Sequence, residues 1–166
     1  MKPLIVLICA FLVSLLITRV VRKRYDYILS GNIAMAVMLF FTAFGHFLFL
    51  NGMTNMLPEN IPMRRLIIIV TGVLEAAAAA GVLLARTRRL TGILLIAFFI
   101  AVLPANVYAA LHHINTETGE PTGPGLHYLW FRIPLQILFM AWVYWFAVLK
   151  RDSSSYNANV IGNGAY

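Results

Sequence analysis

The chain has 166 residues, 61% of them apolar and only 11% charged, with a net charge of +7. A mean hydropathy of +0.82 excludes an ordinary soluble domain of this length, because too few charges remain to cover its surface. The positive balance does not point to nucleic acid: Lys and Arg occupy short gaps between apolar stretches, where anionic lipid headgroups are the natural partner.

Five apolar stretches follow one another, each close to the ~20 residues that cross a hydrocarbon core. The first, Leu4–Val21, follows Lys2 in the manner of a secretory signal. No small-x-small cleavage pattern follows it, and the charges of Arg19, Arg22, Lys23 and Arg24 resist translocation, so it reads as a retained helix. It contains Cys9, the one cysteine, which excludes an internal disulfide and a CxxC redox pair. The second stretch is Ile33–Leu50. Residues 51–63 read as an irregular loop, with Pro58 and Pro62 preventing a continuous helix.

The third stretch, Leu66–Ala85, carries a ridge of small residues (Gly72, Ala76, Ala77, Ala80, Gly81) that predicts close packing at the centre of a bundle. The fourth is Leu90–Leu111 and the fifth Tyr128–Leu149, whose Tyr128, Trp130, Phe131, Trp142, Tyr144 and Trp145 read as interfacial belts. Residues 151–166, rich in Ser, Asn and Gly, read as a disordered cytoplasmic tail. All five stretches are apolar all round, which excludes amphipathic surface helices and porin-type strands.

The expected fold is thus an all-α membrane protein. Residues 1–25 supply a transmembrane helix and basic loop, 26–150 a four-helix bundle, and 151–166 the tail. Nine of the 13 Lys and Arg, at or just beyond the ends of stretches one, three and five, fall on one side of the alternation; Lys2, Arg64, Arg65 and Arg132 fall on the other. The positive-inside rule then places the N-terminus outside and the C-terminus inside the cytoplasmic (inner) membrane. The gap His112–His127 has no Lys or Arg and two Glu, as an external loop should. No internal repeat supports an inverted-repeat transporter.

Polar side chains inside these spans are the candidate site: His46, Glu75, Asn106, Arg132 and Gln136. At ~1.5 Å per residue, His46, Asn106 and Arg132 fall roughly 6–8 Å below the outer surface, with Glu75 about 15 Å down. Gln136 follows Arg132 by four residues, on the same helix face. Pro104 and Pro134 remove the donors for the carbonyls of Ile100 and Trp130, and two kinks there open an outer cleft. Each residue also has a structural reading. Glu75 serves as a clasp to Arg132 or His46, Arg132 snorkels to the surface, and Asn106 satisfies carbonyls freed by Pro104. His112, His113 and His127 do not make a metal site, because adjacent residues on a helix point about 100° apart.

The strings Gly72–Val73–Leu74–Glu75, Gly81–Val82–Leu83–Leu84 and Thr87–Arg88–Arg89 resemble the middle of DoxX-like membrane proteins. So do Pro104–Ala105–Asn106–Val107–Tyr108 and Arg132–Ile133–Pro134–Leu135–Gln136, while Phe44–Gly45–His46–Phe47 is similar to that family's first-helix motif. The resemblance covers roughly 33–149. It implies a compact four-helix membrane bundle with the first helix as an addition, and a shared polar site of unnamed ligand. The Ala76–Ala80 run departs from the bulkier, glycine-containing stretch of that family.

Three functions remain open. The first is a membrane subunit or binder of a lipophilic molecule, quinone or lipid, with no stand-alone enzymatic activity. The second is a membrane subunit of a quinone-linked oxidoreductase, dependent on a redox protein partner because the chain has no cofactor motif. The third is a small proton-coupled transporter, for which one midplane acid is the sole support.

Overall fold

The computed structural model describes residues 2–149, all of whose regular structure is helical. Helix α1 (Lys2–Arg22) is followed by α2 (Tyr27–Leu48), a short α3 (Leu50–Thr54), α4 (Arg64–Leu83), α5 (Arg88–Leu111) and α6 (His127–Val143). A π-helical turn, Tyr144–Leu149, continues α6. Five helices, with the π turn joined to α6, are long and apolar enough to cross a membrane, at 20–24 residues each. At ~1.5 Å per residue they measure roughly 30–36 Å, matching a hydrocarbon core of about 30 Å. The expected tail, 151–166, lies outside the described residues.

Helix α2 begins six residues earlier than the hydropathy predicts. Asp26 caps it by accepting from the Leu29 amide at 3.0 Å, and its other oxygen pairs with Arg22 at 2.9 Å. Ser30, Gly31 and Asn32 look like loop residues by propensity, yet all three are buried in the first turns of α2. Tertiary packing overrides the local preference here. Within the segment read as irregular, Leu50–Thr54 form α3, almost continuous with α2 through the Phe49 amide to the Gly45 carbonyl and the Met53 amide to the Phe49 carbonyl. The chain becomes irregular before Pro58, as expected.

The centre of the molecule is α2 and not the third span. Half of its spanning window is buried, against 17–28% in the other four. It packs against α1, α4, α6 and the π turn. Small residues on several faces, Gly31, Ala34, Ala36 and Ala43, give it this reach, since neighbours can approach from more than one side. On α4 the buried stripe is Ile68, Gly72, Glu75, Ala79 and Val82. These recur every three or four residues, so they form one face, while Ala77 and Ala80 of the expected ridge turn outward and are exposed.

Helix α1 joins the same core: Leu7 is fully buried beside Met35, Leu39 and Val143. Phe11 meets Trp142 edge-on at 5.1 Å. Trp142 is therefore not a belt residue; its indole N–H donates to the Gly31 carbonyl at 3.0 Å. Trp130, Tyr144 and Trp145 do face outward.

The loops gather at two ends. Lys2 pairs with Glu117 at 2.7 Å, and Asn55 donates to the Gly119 carbonyl at 3.1 Å, so the start of α1, the α3 region and the α5–α6 loop share one end. At the other end Asn32 bridges to the Phe146 carbonyl at 3.1 Å, and Gly92 lies against Ala147 and Val148. That end carries Arg19, Arg22, Lys23, Arg24, Arg86, Arg88 and Arg89.

Candidate functional site

The best-formed polar contact inside the spans lies on the seam between α2 and α4. Gly72 permits it. A Cβ at that position would stand 2.8 Å from the His46 Cβ, which is fixed to its own backbone and cannot swing away. His46 is thereby level with Gly72, eight residues or roughly 12 Å into α4, which is deeper than the sequence predicts. The reason is α3: it prolongs the path of α2, so the end of the apolar stretch does not mark the surface.

The His46 Nδ1 lies 3.0 Å from the Thr42 carbonyl and 3.6 Å from Glu75 Oε2. The Thr42 carbonyl can only accept, so a proton on Nδ1 satisfies that contact. At 3.6 Å the carboxylate contact is an ion-pair distance and not a hydrogen bond. Glu75 is only 8% exposed, and its Oε2 is buried with no hydrogen-bond partner among the described residues. Thr42, whose hydroxyl donates to the Leu39 carbonyl at 3.0 Å, and the Arg132 guanidinium also lie within electrostatic reach of the carboxyl.

Arg132 is half-buried, with Cζ 5.9 Å from the centre of the Tyr128 ring one turn away. Gln136 is buried; its Nε2 donates to the Phe99 carbonyl, tying α6 to α5, and its Oε1 is buried without a partner among the described residues. Asn106, 1% exposed, donates to the Val102 carbonyl of its own helix at 3.2 Å, not to Ile100, whose carbonyl Pro104 leaves free. Helices α5 and α6 run on through Pro104 and Pro134, and both prolines are exposed.

The five residues thus divide. Glu75 meets His46 and feels Arg132, whereas Asn106 and Gln136 are committed to backbone carbonyls. Among the described residues, neither of two well-defined cavities is lined by any of the five. One, of about 300 Å³, lies between Ala109, Ala110, Tyr128 and the α5–α6 loop, one helical turn toward the loop from Asn106 and Arg132. The other, of about 590 Å³, is a groove between α1 and α2. His112 stacks on Tyr108 at 4.0 Å, and among the described residues no group of three or more His, Cys, Asp or Glu is placed to hold a metal ion.

Sequence reasoning passed over Thr42, Ser30, Asn32 and Arg88. Ser30 Oγ and Asn32 Oδ1 are buried without hydrogen-bond partners among the described residues. Arg88, grouped by sequence with the loop cations, is buried at the start of α5. A polar residue one helical turn before His46 was the available signal for Thr42. None marked Arg88, since Arg86, Arg88 and Arg89 look alike in sequence.

No curated protein and no solved structure matches the chain. Residues 35–147 match a family described as Domain of unknown function (DUF8561), a stretch that begins within α2 and ends in the π turn. With more than half of its length matched, the chain belongs to the DUF8561 family.

Proposed function

We propose that this is a multi-pass protein of the cytoplasmic (inner) membrane, N-terminus outside and C-terminus inside, that binds a lipophilic molecule at the His46–Glu75 pair. In this reading α2, α4, α5 and α6 form a four-helix bundle of DoxX-like type to which α1 is added, on the strength of the motif strings in those helices. The chain works as a membrane subunit and not as a stand-alone enzyme, with lipids and a redox or other protein as partners.

The observation that carries the reading is Glu75 Oε2: a buried carboxyl oxygen 3.6 Å from an imidazole and without a hydrogen-bond partner among the described residues. A buried acceptor of this kind costs stability unless something satisfies it. The hydroxyl of a quinol or of a lipid headgroup is a suitable donor, and Arg132 suits a carbonyl or anionic oxygen on the same molecule. The test is lipid and quinone analysis of the purified protein beside Glu75→Gln and Arg132→Ala. Wild type should retain a species that both variants lose at least severalfold. Equal retention by all three removes the binding site from the account.

The imidazole–carboxyl contact favours one second reading, a membrane subunit of a quinone-linked oxidoreductase. His46 and Glu75 together can hold and pass a proton while a partner protein supplies electrons. Membranes lacking this protein should then reduce quinone more slowly; unchanged rates exclude this role.

A further inference from the structure

The groove between α1 and α2 belongs to neither the His46–Glu75 pair nor the core. Its α1 wall runs from Val6 to Val21 along one face, and α2 contributes Leu29, Ile33 and Val37. Fifteen residues at ~1.5 Å each make it roughly 22 Å long, more than the ~15 Å depth of one leaflet. Its volume is about 590 Å³, and apart from Ser14 and Thr18 its walls are apolar until Arg22 closes one end.

Charge accumulates at that end. Arg22 is held by Asp26 at 2.9 Å, and Arg19 donates to the Lys23 carbonyl at 3.1 Å. Lys23 takes a left-handed conformation (φ 54°), which turns the chain there, and both Lys23 and Arg24 are exposed. Arg22 thus closes an apolar groove, and the next two residues of the chain, Lys23 and Arg24, add exposed positive charge beside the single acid Asp26. A molecule complementary to this combination has a long hydrocarbon chain and an anionic head.

We propose that the α1–α2 groove binds an anionic glycerophospholipid of the surrounding bilayer, one acyl chain lying along α1 and the phosphate held at Arg22, Lys23 and Arg24. The anionic head distinguishes this occupant from the bulk lipid that touches every exposed apolar face.

Cys9 lines the groove and is the only thiol, so the full-length chain carries its own probe. Bimane attached there is reconstituted in phosphatidylcholine vesicles containing either brominated-acyl phosphatidylglycerol or brominated-acyl phosphatidylcholine. The phosphatidylglycerol should reach half-quenching at a severalfold lower mole fraction. Lys23→Gln and Arg24→Gln should each weaken that preference by about fivefold, near the worth of one cation at an anionic surface. Val13→Phe fills the groove and should abolish the preference, with Ile17→Phe as a second filling variant. Val20→Phe, adding the same bulk outside the lining, should leave it intact, and helicity by circular dichroism checks that each variant is folded.

Equal quenching by both lipids overturns the proposal. A preference that survives both filling variants also overturns it, because surface charge alone then explains the selectivity. Cys9–Cys9 cross-linking of the unlabelled chain, with no quenching by either lipid, assigns the groove to a second copy and overturns it as well.

Discussion

Gly72 and Gly45 are both helical glycines near the α2–α4 seam, and their surroundings set them apart. A methyl at Gly72 meets the His46 Cβ at 2.8 Å, whereas a methyl at Gly45 has nothing within 4 Å. Gly72→Ala should destabilise the protein by about 1–3 kcal/mol, the usual cost of overpacking, and pull His46 from Glu75. Gly45→Ala should be neutral or stabilising by up to ~1 kcal/mol through helix propensity. Thermal unfolding in detergent ranks the two, and equal Tm values would contradict the close approach at Gly72. The sequence made His46 and Glu75 legible as polar residues inside apolar spans. It did not show that they meet, because contact depends on how α2 and α4 are rotated about their axes.

At the scale of elements, the C-terminus of α4 shows how a loop cation becomes structural. The last carbonyls of a helix lack intrahelical donors. Here Thr87 Oγ1 donates to the Gly81 carbonyl at 3.0 Å, Arg88 Nε to Val82 at 3.0 Å, and an Arg88 terminal nitrogen to Leu83 at 3.3 Å. Replacing Arg88 by Ala leaves the Val82 and Leu83 carbonyls at the end of α4 without these donors and should cost about 1.5–3 kcal/mol, the range for bonds from a charged donor. Amide exchange should accelerate over residues 80–84, whereas Arg89→Ala, at an exposed position, should change neither. Similar exchange rates in the two variants would argue against the cap. Hydropathy located all five spans, since twenty consecutive apolar residues are a property of the chain itself. The start of α2 escaped it because Ser30, Gly31 and Asn32 gain their helical state from packing against the π turn.

For the whole molecule, contacts between loops distant in sequence fix which loops share an end. Lys2 touches Glu117 and Asn55 touches Gly119, while Asn32 reaches Phe146 at the opposite end. Single cysteines at Glu59 and Glu117, in a Cys9→Ala background, should therefore react with an impermeant maleimide from one side of sealed vesicles. Cysteines at Arg24 and Arg86 should react only from the other. Labelling of Glu59 and Arg86 from the same side would break the alternating path. The exposed Lys2–Glu117 pair itself adds little stability, because solvent screens it.

What the amino-acid sequence determined by itself is the class of protein and the number of spans, because lipid solvent demands long apolar helices whose backbones satisfy themselves. It also named the polar side chains that such a solvent makes costly. Only the tertiary structure decided that α2 is the centre, that Glu75 meets His46, and that Asn106 and Gln136 bind backbone. Hydropathy hardly varies around these helices, so it carries no rotational signal. Which face turns inward is settled by steric fit at positions such as Gly72 and Gly31.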